Sequence, residues 1–135
     1  MMLKSKHLIG LEDFPISDLN KIIDTSFKFK QILDSPGRKI NLLKGKTLVN
    51  MFFENSTRTK ISFTLAEKRL GADSINFSAT GSSVKKGETL KDTVQNIESM
   101  QIDGAIIRHS HPGAALKLTE YIDGSVINAG DGSHE

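Results

Sequence analysis

A group of hydroxyl side chains and one arginine follows an apolar stretch near the middle of the chain. Residues 51–63 read Met-Phe-Phe-Glu-Asn-Ser-Thr-Arg-Thr-Lys-Ile-Ser-Phe. Ser56, Thr57 and Thr59 each offer a hydroxyl donor. The planar guanidinium of Arg58 can bind a tetrahedral anion through two hydrogen bonds. This combination of donors suits an oxyanion, and phosphate fits it well.

The elements predicted around this group place it at the start of a helix. Residues 46–53 form a strand-like apolar run, and the Asn-Ser-Thr that follows offers N-cap chemistry. Residues 59–70 then favour a helix, which Gly71 is expected to end. The first turn of a helix points free backbone N–H groups outward and carries a partial positive charge. The sequence therefore predicts an oxyanion site at this helix start.

The rest of the chain alternates between helical and strand patterns. The further predicted elements are a helix from Ser17 that ends at Ser-Pro-Gly 35–37, a strand at 74–77, a helix from Glu88, a strand at 103–107, a helix from 112–113 to about Tyr121, and a strand at 125–128. This alternation predicts an α/β fold, with a parallel sheet of four or more strands, helices on both faces and right-handed crossovers.

Polar or glycine-rich residues follow each predicted strand. Arg58 comes after the first strand, and a loop rich in Ser, Gly and Lys at 78–87, expected to be mobile, comes after the second. Arg108 and His109 end the third strand, and Gly-Asp-Gly at 130–132 follows the fourth. Ligands of open α/β sheets bind at the carboxyl ends of the strands. We therefore expect these residues to lie at one edge of the sheet.

Nucleotide-binding loops are excluded by spacing. Gly45-Lys46-Thr47 matches the end of a phosphate-binding loop, but the first glycine of that motif would stand at position 40, which is isoleucine. A strand rather than a helix is also predicted after Thr47. No Gly-x-Gly-x-x-Gly follows a predicted strand, so neither a nucleoside triphosphate site nor a dinucleotide cofactor is expected.

Composition excludes several other classes of function. His109 and His111 alternate without a third ligand or any cysteine, so neither a metal nor another cofactor is predicted. The absence of cysteine also excludes disulfides and thiol catalysis. The chain has 135 residues, 37% of them hydrophobic and 25% charged, with a formal net charge of +2. These values predict one globular domain without a nucleic-acid or membrane partner, and a cytoplasmic location, because no apolar leader follows the first residues.

The segment at 51–63 resembles the carbamoyl-phosphate signature of the aspartate and ornithine carbamoyltransferases, in which a Ser-Thr-Arg-Thr element holds carbamoyl phosphate. Three more stretches follow in the family's order and at about its spacing: 82–93, Arg108-His109 and 128–133. The resemblance spans nearly the whole chain. The Phe-Glu-Asn at 53–55 and the stretch at 82–93 are more similar to the aspartate branch than to the ornithine branch.

The resemblance implies a reaction and residues that carry it. The complete enzyme would transfer the carbamoyl group of carbamoyl phosphate to the amino group of L-aspartate in pyrimidine biosynthesis, giving N-carbamoyl-L-aspartate and phosphate. The resemblance implies four catalytic residues: Arg58, Thr59, Lys86 and Arg108. It implies that carbamoyl phosphate is bound by Ser56, Thr57, Arg58, Thr59, Ser82, Lys86 and Arg108. Ser82 and Lys86 would come from the adjacent subunit of a homotrimer with shared active sites.

The resemblance also implies how the domains are organised. Residues 1–135 would be the carbamoyl-phosphate-binding domain, and the second domain, which holds the amino acid in the family, would be absent from this chain. The chain alone is therefore expected to be inactive. Two alternatives stay open, namely an ornithine carbamoyltransferase-like enzyme and a non-catalytic phosphate-binding or assembly module. Whether regulatory chains are further partners is not decided by the sequence.

Overall fold

The computed structural model describes residues 2–37, 39–78 and 90–132. Its elements in chain order are α1 (Ile16–Leu33), β1 (Thr47–Phe52), α2 (Thr57–Arg69), β2 (Asp73–Ser78), α3 (Leu90–Glu98), β3 (Gly104–Arg108), α4 (Ala114–Leu118) and β4 (Ser125–Asn128). The predicted mobile loop at 78–87, apart from Ser78 at the end of β2, lies outside the described residues. So do Ser82, Lys86 and the predicted helix start at Glu88.

The four strands form one parallel sheet in the order β2-β1-β3-β4. β1 lies between β2 and β3, and Phe52 at its end is in register with both Ser78 and Arg108. Near the N-terminus, Leu8 adds a single parallel bridge to Ile127 of β4. The predicted α/β fold with a parallel sheet of four or more strands is confirmed.

Helices cover both faces of this sheet. Successive residues of a strand point to opposite faces. On one face Val49 packs in the apolar core with Val94 of α3 and Leu118 of α4. On the other face the adjacent Asn50 donates a hydrogen bond to Glu67 of α2 over 2.9 Å. The prediction of helices on both faces is therefore confirmed. No helix among residues 2–37, 39–78 and 90–132 is long and apolar enough to cross a bilayer.

The predicted boundaries of α2 and α4 differ from the structure. α2 begins at Thr57, two residues before the predicted start, and Gly71 follows its end with a left-handed φ of 87°. The predicted helix from 112–113 to about Tyr121 is wrong at its C-terminal end, since α4 spans only Ala114–Leu118, with Gly113 as its N-cap. Gly113 has a φ of 87°, which belongs to a turn, and beyond α4 the N–H of Tyr121 bonds only three residues back, to Leu118.

The N-terminal segment is tied to the domain at two places. Asp18 in the first turn of α1 is fully buried and accepts hydrogen bonds from the backbone N–H groups of Lys4 at 3.0 Å and Ser5 at 2.8 Å. The bond from Lys4 is the main reason why the pKa of Asp18 lies below its ordinary value. Further along, the N–H of Leu8 donates to the carbonyl of Val126 in β4 over 2.9 Å. The segment thus lies in a fixed position beside the edge strand.

Candidate functional site

The carboxyl ends of β1, β3 and β4 are joined by backbone hydrogen bonds. The N–H of Phe53, just after β1, donates to the carbonyl of Arg108 at 2.8 Å. The N–H of His109, just after β3, donates to the carbonyl of Gly130 at 2.9 Å. The segment that leads into α2, the arginine that ends β3 and the turn after β4 therefore lie at one edge of the sheet. For these three motifs the prediction of a shared edge is confirmed.

No side chain of the described residues caps the backbone N–H groups at the start of α2. Ser56 is the N-cap residue, but its hydroxyl makes no capping hydrogen bond. Instead, Ser56 Oγ donates to Thr59 Oγ1 over 2.9 Å. The first turn also contains no acidic residue. An anion approaching the helix start would therefore meet N–H groups that no described side chain caps and a partial positive charge, with no carboxylate in the first turn.

Arg58 extends the same group of donors toward solvent. Its side chain is exposed, and within the described residues its guanidinium makes no ion pair or hydrogen bond. Thr57 beside it is exposed as well, whereas Ser56 and Thr59 are half-buried. The guanidinium keeps its fork of N–H donors available for a ligand.

Arg108, in contrast, is held by the protein. Its Nη1 donates to the carbonyl of Ala129 over 2.7 Å. Its Nε lies 3.5 Å from Glu54 Oε2, as an ion pair without hydrogen-bond geometry. The guanidinium lies against Gly130, where a Cβ would be 2.5 Å from Nη1. Arg108 therefore places a positive charge at the carboxyl edge of the sheet, and its side chain is restricted in orientation.

His109 contributes a neutral aromatic ring beside this arginine. Its ring centroid is 5.0 Å from that of Phe53, and its Nδ1 accepts a hydrogen bond from the N–H of His111 at 2.9 Å. Burial is the main cause that lowers the pKa of His109; the nearby His111 acts in the same direction and Glu54 opposes them. The lowered pKa favours the neutral form of the ring, and the hydrogen bond that Nδ1 accepts places the proton of that form on Nε2. Across the described ranges, no three His, Asp or Glu side chains are grouped as a metal site would require.

Two residues at this edge were missed as site residues by the sequence analysis. Glu54 pairs with Arg108, and Asn128 accepts a hydrogen bond from the N–H of Gly130 at 2.9 Å. The second has a recognisable signal, because an Asn two residues before a Gly is typical of a turn closed by the Asn side chain. Glu54 has no comparable signal, since its partner is 54 positions away along the chain.

The chain also matches a known family along almost its whole length. Residues 6–135 match the family model described as aspartate/ornithine carbamoyltransferase, carbamoyl-P binding domain. The chain belongs to this carbamoyltransferase family. The resemblance drawn from the motifs at 51–63, 82–93, Arg108-His109 and 128–133 is confirmed.

Similar sequences and structures are aspartate carbamoyltransferases. The chain is 54% identical over 129 residues to the aspartate carbamoyltransferase catalytic subunit of Christiangramia forsetii, covering 96% of this chain and 42% of the relative. It is 50% identical over 133 residues to that of Cytophaga hutchinsonii, covering 98% and 43%. This agrees with the predicted preference for the aspartate branch.

Two solved structures of aspartate transcarbamoylases contain the same fold as this chain. The catalytic subunit of M. jannaschii aspartate transcarbamoylase matches with a TM-score of 0.85 and 40% identity, over 95% of this chain and 42% of that one. Aspartate transcarbamoylase of Trypanosoma cruzi, solved with carbamoyl phosphate and aspartate, matches with a TM-score of 0.86 and 34% identity, over 97% and 43%. The chain thus spans about two fifths of the length of these relatives.

Proposed function

We propose that this chain is the carbamoyl-phosphate-binding domain of an aspartate carbamoyltransferase. The protein that carries it would transfer the carbamoyl group from carbamoyl phosphate to the amino group of L-aspartate, giving N-carbamoyl-L-aspartate and phosphate. The observation that carries this proposal is the start of α2, where backbone N–H groups, hydroxyls and Arg58 lie together and no described side chain caps the N–H groups or pairs with Arg58. The family membership of residues 6–135 supports it.

The proposed roles follow from the chemistry of the transfer. The amine attacks the carbamoyl carbon, negative charge develops on the carbamoyl oxygen, and phosphate leaves. The reaction therefore needs cations and N–H donors around the phosphate and further donors aimed at the oxygen. The residues assigned to the phosphate are Ser56, Thr57, Arg58 and Thr59. Thr59 and Arg108 are assigned to the carbamoyl oxygen as well.

The proposal includes groups from outside the described part of the chain. Ser82 and Lys86, which lie outside the described residues, would complete the site from the adjacent subunit of a homotrimer. L-aspartate would be bound by a second domain. A cytoplasmic location is part of the same proposal, and neither a metal nor another cofactor has a step in it.

Calorimetric titration of carbamoyl phosphate into this chain tests the binding site. We expect saturable binding, abolished in Arg58→Ala and largely kept in the control Lys68→Ala, which removes an exposed positive charge near the end of the same helix. A parallel titration with inorganic phosphate measures how much affinity the phosphate group alone provides. Equal binding by Arg58→Ala and the unmodified chain would contradict the assignment of the site to α2.

A product assay on the protein that carries this chain tests the acceptor. With carbamoyl phosphate present, L-aspartate and L-ornithine are offered separately, and we expect N-carbamoyl-L-aspartate to form. Carbamoylation of ornithine instead would favour the ornithine carbamoyltransferase-like alternative. Binding of carbamoyl phosphate without either product would favour a phosphate-binding or assembly module.

A further inference from the structure

The turn after β4 contacts the Arg108 guanidinium at two points. The carbonyl of Ala129 accepts the hydrogen bond from Nη1 at 2.7 Å. Gly130 has a φ of 127°, and a Cβ there would lie 2.5 Å from Nη1 and 3.1 Å from Cζ. The guanidinium is therefore packed directly on the backbone of this turn, and its position depends on where the turn lies.

Asn128 fixes the turn through both ends of its side chain. Its Oδ1 accepts the hydrogen bond from the N–H of Gly130 at 2.9 Å, which closes the turn across Ala129. Its Nδ2 donates to the carbonyl of Ile9 over 2.8 Å. The backbone N–H of Asn128 donates to the carbonyl of Leu8, also over 2.8 Å. Asn128 thus connects the turn that holds Arg108 to the N-terminal segment.

The N-terminal segment is itself well fixed, so it can serve as an anchor. Val126 of β4 donates its N–H to His7 Nδ1 at 3.0 Å, and the N–H of Leu8 donates to the carbonyl of Val126 at 2.9 Å. Asp18 binds the backbone N–H groups of Lys4 and Ser5 from the first turn of α1. The N-terminal segment fixes Asn128, and Asn128 closes the turn at 128–130. The Arg108 guanidinium, which packs on this turn, therefore has few alternative positions.

We propose that Asn128 is a positioning residue for Arg108, acting through the turn at 128–130. This rests on the proposed function, in which Arg108 contacts the carbamoyl oxygen. An arginine side chain has many rotamers, and ordering it only when substrate arrives lowers the gain from binding. The turn keeps the guanidinium ordered beforehand, so that its charge meets the developing oxyanion without rearrangement.

The test compares two substitutions of Asn128 in the protein that carries this chain. Asn128→Ala removes both side-chain hydrogen bonds. Asn128→Ser also loses the bond to Ile9, but its hydroxyl oxygen can still accept from the N–H two residues on. We expect kcat/KM for carbamoyl phosphate to fall about tenfold in Asn128→Ala and less than about threefold in Asn128→Ser. Equal losses in the two variants would overturn the assignment of the effect to the turn.

A double-mutant cycle separates positioning from a general structural role. Arg108→Ala alone is expected to lower kcat/KM about a hundredfold. In that background Asn128→Ala should cost less than about twofold more, because the side chain it positions is gone. The same tenfold loss in both backgrounds would mean that Asn128 acts independently of Arg108, and the proposal would be wrong.

Gly130→Ala changes the opposite end of the same turn. It replaces Asn128→Ala as the test variant if Asn128→Ala does not fold. Its Cβ would displace the guanidinium, so we expect a similar loss that is again absent when Arg108 is alanine. Full loss from Gly130→Ala in the Arg108→Ala background would overturn the proposal. If Arg108→Ala retains normal kcat/KM, the role of Arg108 in the proposed function fails. If Arg108→Ala loses activity but Asn128→Ala and Gly130→Ala do not, the positioning role of Asn128 fails while the role of Arg108 in the proposed function stands.

Discussion

The start of α2 and the middle of the same helix use similar polar residues in opposite ways. At the start, the hydroxyls and Arg58 lie beside backbone N–H groups that no described side chain caps. In the middle, α2 faces a polar cluster around the buried residues Asn50 and Glu67, in which protein groups bond to one another. We call this set the α2 cluster; it consists of Asn50, Thr64, Glu67, Ser74 and Asn76.

Asn50 is the centre of the α2 cluster. It is fully buried, and its Nδ2 donates to Glu67 Oε1 at 2.9 Å and to Asn76 Oδ1 at 3.0 Å. Ser74 Oγ donates to the same carboxylate oxygen at 2.6 Å. Burial therefore decides whether a polar side chain of this region serves stability or ligand binding. A buried polar group needs a hydrogen-bond partner in the protein, whereas an exposed one is hydrated and stays available to bind a ligand.

The largest effect we expect from this comparison is at the exposed end. Arg58→Ala should lower turnover in the protein that carries this chain by about two orders of magnitude, because one charged donor to the transition state is lost. Its free energy of unfolding should change by less than about 0.5 kcal/mol, since the side chain is exposed. Steady-state kinetics and chemical denaturation measure the two quantities. Near-normal turnover would remove Arg58 from the site.

In the α2 cluster we expect the reverse, an effect on stability. Asn50→Ala removes the donor shared by Glu67 and Asn76 and should lower the free energy of unfolding by about 2 kcal/mol. The control is Asn76→Ala, because Asn76 is exposed and water can replace its hydrogen bond. Urea denaturation of both variants gives the comparison. If Asn76→Ala cost as much as Asn50→Ala, burial would not be the deciding factor.

The next expected effect is a change in the pH dependence of stability. Burial raises the pKa of Glu67 above its ordinary value of 4.5, and hydrogen bonds from Ser74 and Asn50 only partly oppose it. A raised folded-state pKa means that the folded protein holds the proton more tightly than the unfolded chain does. The resulting stability is present below about pH 4.5 and is lost as the pH rises through the folded-state value.

Glu67→Gln should therefore be more stable relative to the unmodified chain at pH 7 than at pH 4. The amide keeps an oxygen that accepts from Ser74 and Asn50, and it carries no charge to bury. Its Nε2 can also donate to Asn50 Oδ1, which has no partner among the described residues. Denaturation curves across this pH range measure the difference. If the difference in the free energy of unfolding between the two proteins did not change with pH, burial would not raise the pKa of Glu67.

The smallest effect we expect is at the N-cap of α2. Replacing an N-cap serine by alanine usually costs about 1 kcal/mol, but the Ser56 hydroxyl bonds to Thr59 rather than to the backbone. Ser56→Ala should therefore lower the free energy of unfolding by less than about 0.5 kcal/mol. Calorimetry should show carbamoyl phosphate binding about threefold more weakly, because one hydroxyl donor is lost. A stability loss of 1 kcal/mol without weaker binding would make Ser56 an ordinary cap.

Most helices and strands, and the donors at 56–59, could be predicted from the sequence. Alternating apolar runs and helical spacing located all four strands and α1 and α2 to within about two residues, because these patterns depend only on neighbours in the chain. The same holds for the donors at 56–59, since a helix that starts there places its own first-turn N–H groups beside them. Among the boundaries that the described residues test, the end of α4 was misjudged, and its short length leaves little periodicity to read.

The tertiary structure alone decided which distant residues meet. The α2 cluster joins Asn50 and Glu67 across 17 positions, and Asn128 bonds to Ile9 across 119. Neither contact has a signal in local spacing, because each depends on strand order and on where the N-terminal segment lies against the sheet. The same reason separates the two arginines. Arg58 could be read from its own helix start, whereas the restraint on Arg108 exists only after β4 packs beside β3.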